Sequence, residues 1–94
     1  MDLPIAALAA GGAGWRDAHE AVRSGRITLP SEIEEPGGPI HAYAAERARA
    51  YMRVHAAALE LTPRESVVLL RTYFYAYLRG IIDAARESSS HPFA

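Results

Sequence analysis

Apolar residues recur at helical spacing along most of the chain, and the densest run is Val67 to Ile82, which holds four of the eight aromatic residues. Just upstream, Thr62-Pro-Arg-Glu65 is a helix start. Thr62 has the side chain of an N-cap, Pro63 suits the first helical position, and Glu65 has the spacing that closes a capping box. A helix over 63–87 is therefore predicted. Val67, Leu70, Phe74, Tyr77, Ile81 and Ala85, with Leu78 alongside, alternate at three and four residues as a packing seam. Leu69, Tyr73, Tyr75 and Ile82 fall outside that seam. The polar stripe shrinks to Glu65, Thr72, Arg79, Asp83 and Arg86, and a helix so widely apolar is normally buried on more than one side.

The preceding segment predicts a second helix over 39–60, with Pro39 in its first turn. Glu46, Arg49, Arg53 and Glu60 share its polar face. The opposite face carries Ile40, Ala44, Tyr51, His55 and Ala58, flanked by Ala48, Val54 and Leu59. Eight alanines in this helix allow a neighbouring backbone to approach closely. With almost no loop between them, the two helices form an antiparallel hairpin or a sharp corner.

The N-terminal third is less regular. Gly14 to Ser24 reads as a short amphipathic helix on Trp15, Ala18, His19 and Val22, with Gly25 as its cap. Residues 1–13 read as an arm or a short helix from Pro4 to Ala10 ended by Gly11-Gly12. Residues 26–30 look extended, Ser31 to Glu35 has capping-box spacing, and Pro36-Gly-Gly-Pro39 is a break. Residues 88–94 read as a disordered tail. The expected organisation is an arm over 1–13, one helical domain over 14–87 and that tail.

A first helix of about three turns is too short to cover the second flank of the last helix along its length. This shortfall predicts a homodimer, an all-α helical bundle in which the last helix packs against its symmetry mate. The expected dimer or partner interface is Val67, Leu70, Tyr73, Phe74, Tyr75, Tyr77, Leu78, Ile81 and Ile82.

Composition narrows the chemistry. The chain has 94 residues, half of them hydrophobic, and a formal net charge of −1. That balance gives no electrostatic reason to expect nucleic acid or an acidic membrane. Cysteine is absent and every basic residue is arginine, which excludes thiolate chemistry and a lysine Schiff base. Leu3 to Ala10 is apolar but preceded by Asp2 and no basic residue, so no secretory signal is expected. Arg71 and Arg79 interrupt the longest apolar run, so no membrane span is expected. A cytoplasmic protein follows as the expectation. His41 and His55 lie about 21 Å apart along one helix, too far to share a metal ion. No metal or cofactor is expected.

Two short resemblances bear on function. Pro63-Arg-Glu-Ser-Val-Val-Leu resembles the Pro-x-Arg-Glu-x-x-Val-Leu segment of helical chorismate mutases, with the spacing shifted and that family's active-site lysine missing. Gly37-Gly-Pro-Ile-His41 followed by Met52 and His55 is similar to the second helix of dimeric quorum-sensing antiactivators. Those are small helical proteins that bind and disable a transcription factor. The intervening spacing differs, and the last helix has no counterpart there. Thr62-Pro-Arg-Glu also opens the DNA-binding helices of many response regulators, but no basic recognition helix follows here.

The sequence thus points to a small helical regulatory protein that acts by protein–protein binding, as an antiactivator, inhibitor or adaptor. The alternative is an enzyme or small-ligand binder with a pocket of Arg47, Tyr51 and His55 at a dimer interface.

Overall fold

The structure is a computed structural model and describes residues 3–27 and 38–89. The described residues form three helices and no strand: α1 (Leu3–Arg23), α2 (Pro39–Leu59) and α3 (Pro63–Ser89). The turn expected at Ser31 to Glu35, the break at Pro36 and the last five residues lie outside the described residues. So do Thr28, Leu29 and Pro30 of the segment expected to be extended.

Four of the helix ends have a local cause. At the start of α3, the Glu65 backbone N–H donates to Thr62 Oγ1 at 3.2 Å and the Thr62 N–H donates to Glu65 Oε1 at 2.9 Å. This is the reciprocal capping box that the sequence announces. α2 starts with Pro39 just inside its first turn and ends at Glu60, which adopts the left-handed conformation (φ 52°, ψ 47°). After α1, the Arg26 N–H donates to Ala21 O at 3.0 Å and the Gly25 N–H to Val22 O at 3.2 Å. Gly25 itself has φ 79°. That pairing is a Schellman motif, and glycine takes the left-handed position without a Cβ penalty.

The N-terminal expectation needs correction. Instead of an arm, or a short helix from Pro4 to Ala10, followed by a separate short helix from Gly14, one helix of 21 residues runs from Leu3 straight through Gly11, Gly12 and Gly14. Each glycine weakens an isolated helix by about 1 kcal/mol relative to alanine. Packing outweighs that cost. A Cβ on Gly14 would lie 2.6 Å from the Tyr73 carbonyl oxygen, and one on Gly80 would lie 2.7 Å from the Ala18 Cβ and 2.9 Å from the Trp15 carbonyl oxygen. The two glycines let α1 and α3 touch backbone to backbone.

α3 is the central helix, flanked by the other two. Gly14 meets Tyr73, Trp15 meets Asp83 and His19 meets Glu87, so α1 runs parallel to α3. Tyr51 stacks on Tyr73 and Tyr43 meets Tyr77, so α2 returns antiparallel to it. The molecule measures 47 × 25 × 18 Å with a radius of gyration of 14.2 Å.

The core divides its labour by size. α3 contributes Leu69, Tyr73, Tyr77, Ile81 and Ala84; α1 contributes Ala6, Ala10, Ala18 and Ala21; α2 contributes Ala44, Ala48 and Met52. Large side chains on the central helix fill space that small ones on its neighbours leave open. The buried arc of α3 is therefore centred on Leu69, Tyr73 and Tyr77 rather than on the expected Val67-to-Ala85 seam, and Val67 is 54% exposed. On α2 the inward line is Ala44, Ala48 and Met52, whereas Val54, His55 and Ala58 face out. α3 serves two neighbours, so its buried centre lies between the faces that each would choose alone.

Candidate functional site

The nine residues expected at an interface separate into three groups. Tyr73 and Tyr77 are each 1% exposed, and Ile81 is buried with them in the chain's own core. Leu70, Phe74 and Leu78 are half-buried against that core. Val67 and Tyr75 stand out in solvent and Ile82 is half-buried. Tyr73 and Tyr75, both expected at the interface, lie two residues apart and point to opposite surroundings. α1 has 21 residues, more than the three turns expected, and helps cover the Tyr73 side of α3, while Val67, Val68 and Tyr75 stay exposed.

Tyr73 is the hub of the inner side. Its hydroxyl donates to Asp17 Oδ2 on α1, and its ring stacks on Tyr51 of α2 with centroids 4.8 Å apart. Tyr77 sits 6.0 Å from Tyr73 and 6.1 Å from Tyr43 by ring centroids. Burial pushes the Tyr73 phenol well above its ordinary range, and the hydrogen bond to Asp17 adds to the shift. Burial raises Tyr77 likewise, with Tyr43 contributing, and raises Tyr51 to a lesser degree, with Asp17 contributing. These phenols hold their protons across the ordinary pH range, so they act as donors and packing rings, not as bases. Asp17 is a residue that sequence reasoning missed, since nothing local marks a partner 56 positions away.

Of the candidate pocket residues, Tyr51 and His55 stack at 4.2 Å, and Arg47 acts electrostatically on Tyr73 and Tyr77. Arg47 and His55 are exposed, while Tyr51 is half-buried as the lid over Tyr73.

A second polar group ties α1 to the far end of α3. Trp15 Nε1 donates to Asp83 Oδ2 at 2.9 Å, and Arg79 Nε lies 3.3 Å from Asp83 Oδ1. The Trp15 bond, aided by Arg79, holds the Asp83 carboxyl below its ordinary value. His19 is buried with its ring 3.8 Å from that of Trp15. Its Nδ1 lies 3.1 Å from the Trp15 carbonyl oxygen, which can only accept, so Nδ1 carries the proton. Nε2 lies 3.4 Å from Glu87 Oε2 without forming a hydrogen bond. Among the described residues no group of three or more His, Cys, Asp or Glu side chains could hold a metal ion.

The outward surface is different in kind. Val67, Val68 and Tyr75 are exposed on α3, and Ile5, Leu8 and Trp15 on α1. Ile5, Leu8, Gly12 and Trp15 follow one another at three and four residues, so they form a single uncharged stripe along α1. Among the described residues no helix is long and apolar enough to cross a membrane. Comparison with protein-family models, with curated proteins and with solved structures gives no match.

Proposed function

We propose that this chain is a small helical regulatory protein that works by binding another protein, as an antiactivator, inhibitor or adaptor, through the outward surface of α3 and the adjoining edge of α1. One observation carries the reading. The chain closes its own core around Leu69, Tyr73 and Tyr77, yet leaves Val67, Val68, Tyr75, Ile5 and Leu8 in solvent. Large apolar side chains gathered on two neighbouring helices are the usual mark of an interaction site, and tyrosine is enriched where binding energy concentrates. The inner tyrosines support this division of labour, because their hydroxyls and rings are used to join the helices.

Self-association through the same surface is the competing use. Affinity capture with the intact protein, beside a Tyr75→Glu variant and a Val54→Glu variant on exposed α2, tests the proposal. Loss of a specific partner in the Tyr75 variant alone is the expected result. An identical partner list for all three proteins removes the proposed surface. Sedimentation of the same samples separates a foreign partner from a second copy.

A further inference from the structure

The outward face of α3 has an order beyond being apolar. Arg64, Val68, Arg71, Tyr75, Arg79, Ile82 and Arg86 succeed one another at spacings of three and four residues. At 3.6 residues per turn they occupy an arc of about 80° and a length of about 33 Å. All four arginines are exposed. Arginine and apolar side chain alternate along the whole row, and no acidic residue interrupts it.

The acids of α3 lie to the side. Glu65 caps Thr62, Asp83 accepts from Trp15, and Glu87 faces His19. The helix thus sorts its charges, with carboxylates at its cap and toward α1 and guanidinium groups outward. Arg79 contacts Asp83 through Nε at the edge of the row. Among the described residues Arg64, Arg71 and Arg86 form no ion pair.

We infer that this row is the docking face for an acidic amphipathic helix of a partner protein, one whose carboxylates alternate with apolar side chains at the same three-and-four spacing. The inference rests on the protein-binding reading above and adds the partner's chemistry. Charge complementarity selects the occupant. Arginine forks bind carboxylates in bidentate geometry, and Val68, Tyr75 and Ile82 between them offer apolar seats for the partner's alternate residues. A second copy presenting the same face brings arginines and no carboxylate, whatever the register. A nucleic acid gains nothing from the three apolar seats, and the chain's net charge of −1 supplies no field to draw in a polyanion.

The test uses the full chain and three labelled synthetic helical peptides of equal length, with leucine at the apolar positions and glutamate, glutamine or lysine at the facing ones. Fluorescence anisotropy should show the glutamate peptide binding at least tenfold more tightly than the glutamine peptide, with affinity falling as salt rises. The double variant Arg71→Glu/Arg86→Glu, checked for an unchanged helical melt, should lose that preference and favour the lysine peptide. Equal binding of glutamate and glutamine peptides overturns the acidic preference while leaving protein binding intact. No binding by any peptide overturns the inference, and the capture experiment then decides the broader reading by itself. Tighter binding of duplex DNA than of the glutamate peptide also overturns it.

Discussion

The inward face of α3 carries Leu69, Tyr73, Tyr77, Gly80 and Ala84 and no charge, whereas its outward face alternates Arg64, Arg71, Arg79 and Arg86 with Val68, Tyr75 and Ile82. The inward face is specified by sterics. Two glycines hold two backbones together, and a Cβ at either one meets another helix at less than 3.0 Å. The outward face is patterned by charge and periodicity, and among the described residues Arg79 is the one arginine of the row in an ion pair. One helix therefore makes the fold on one side and, on our proposal, the interaction on the other. Substitutions should sort the same way.

The largest expected effect separates neighbouring glycines. Gly14→Ala and Gly80→Ala each force a Cβ against backbone or a buried Cβ, an overpacking cost of about 1–3 kcal/mol that outweighs the helix-propensity gain. Gly12 has nothing within 4 Å of its would-be Cβ, so Gly12→Ala should stabilise by up to about 1 kcal/mol. Urea denaturation of the three variants checks the signs. Destabilisation by Gly12→Ala, or stability gained from Gly14→Ala, would break the close-crossing account.

Next is the tyrosine hub. Tyr73→Phe leaves the Asp17 carboxylate without its donor, at a cost of about 1–3 kcal/mol. The pH dependence follows from the same side chains. Tyr51, Tyr73 and Tyr77 hold their protons above the ordinary value of 10.0 in the folded chain, mainly through burial. The unfolded chain releases those protons first, so their contribution is intact below a pH of about 10 and is lost as the pH rises toward the folded values. Denaturation midpoints measured from pH 8 to 11 should fall only in the upper part of that range.

Smaller again is the cap. Thr62→Ala removes the side chain that accepts from the Glu65 N–H and should cost about 1 kcal/mol. The outward row should be nearly silent in stability, with Arg71→Ala within about 0.5 kcal/mol of the parent. A large melting shift from Arg71→Ala would mean that the row serves the fold.

Local chemistry was legible in the sequence. Thr62 with Glu65, Pro39 and Gly25 mark helix ends because a cap is made within a few residues of itself. Gly80, a glycine inside a strongly apolar helix, is where α1 crosses closely. Local reasoning misled at Gly11, Gly12 and Gly14, which read as a break, whereas Gly14 is a close approach to the Tyr73 backbone and Gly11 and Gly12 simply continue the helix. Helix phase failed by a small rotation on α2, where Met52 rather than His55 turns inward. The pairing of Asp17 with Tyr73 has no local signature at all.

Tyrosine-selective labelling with mass-spectrometric readout tests the two-faced helix most directly. Cleavage after Arg71 and Arg79 releases one peptide holding Tyr73, Tyr75 and Tyr77, so the three rates are compared within one fragment. Tyr75, at 56% exposure against 1% for each of the others, should label quickly while Tyr73 and Tyr77 label only on unfolding. Labelling of Tyr73 or Tyr77 at the rate of Tyr75 would contradict the account.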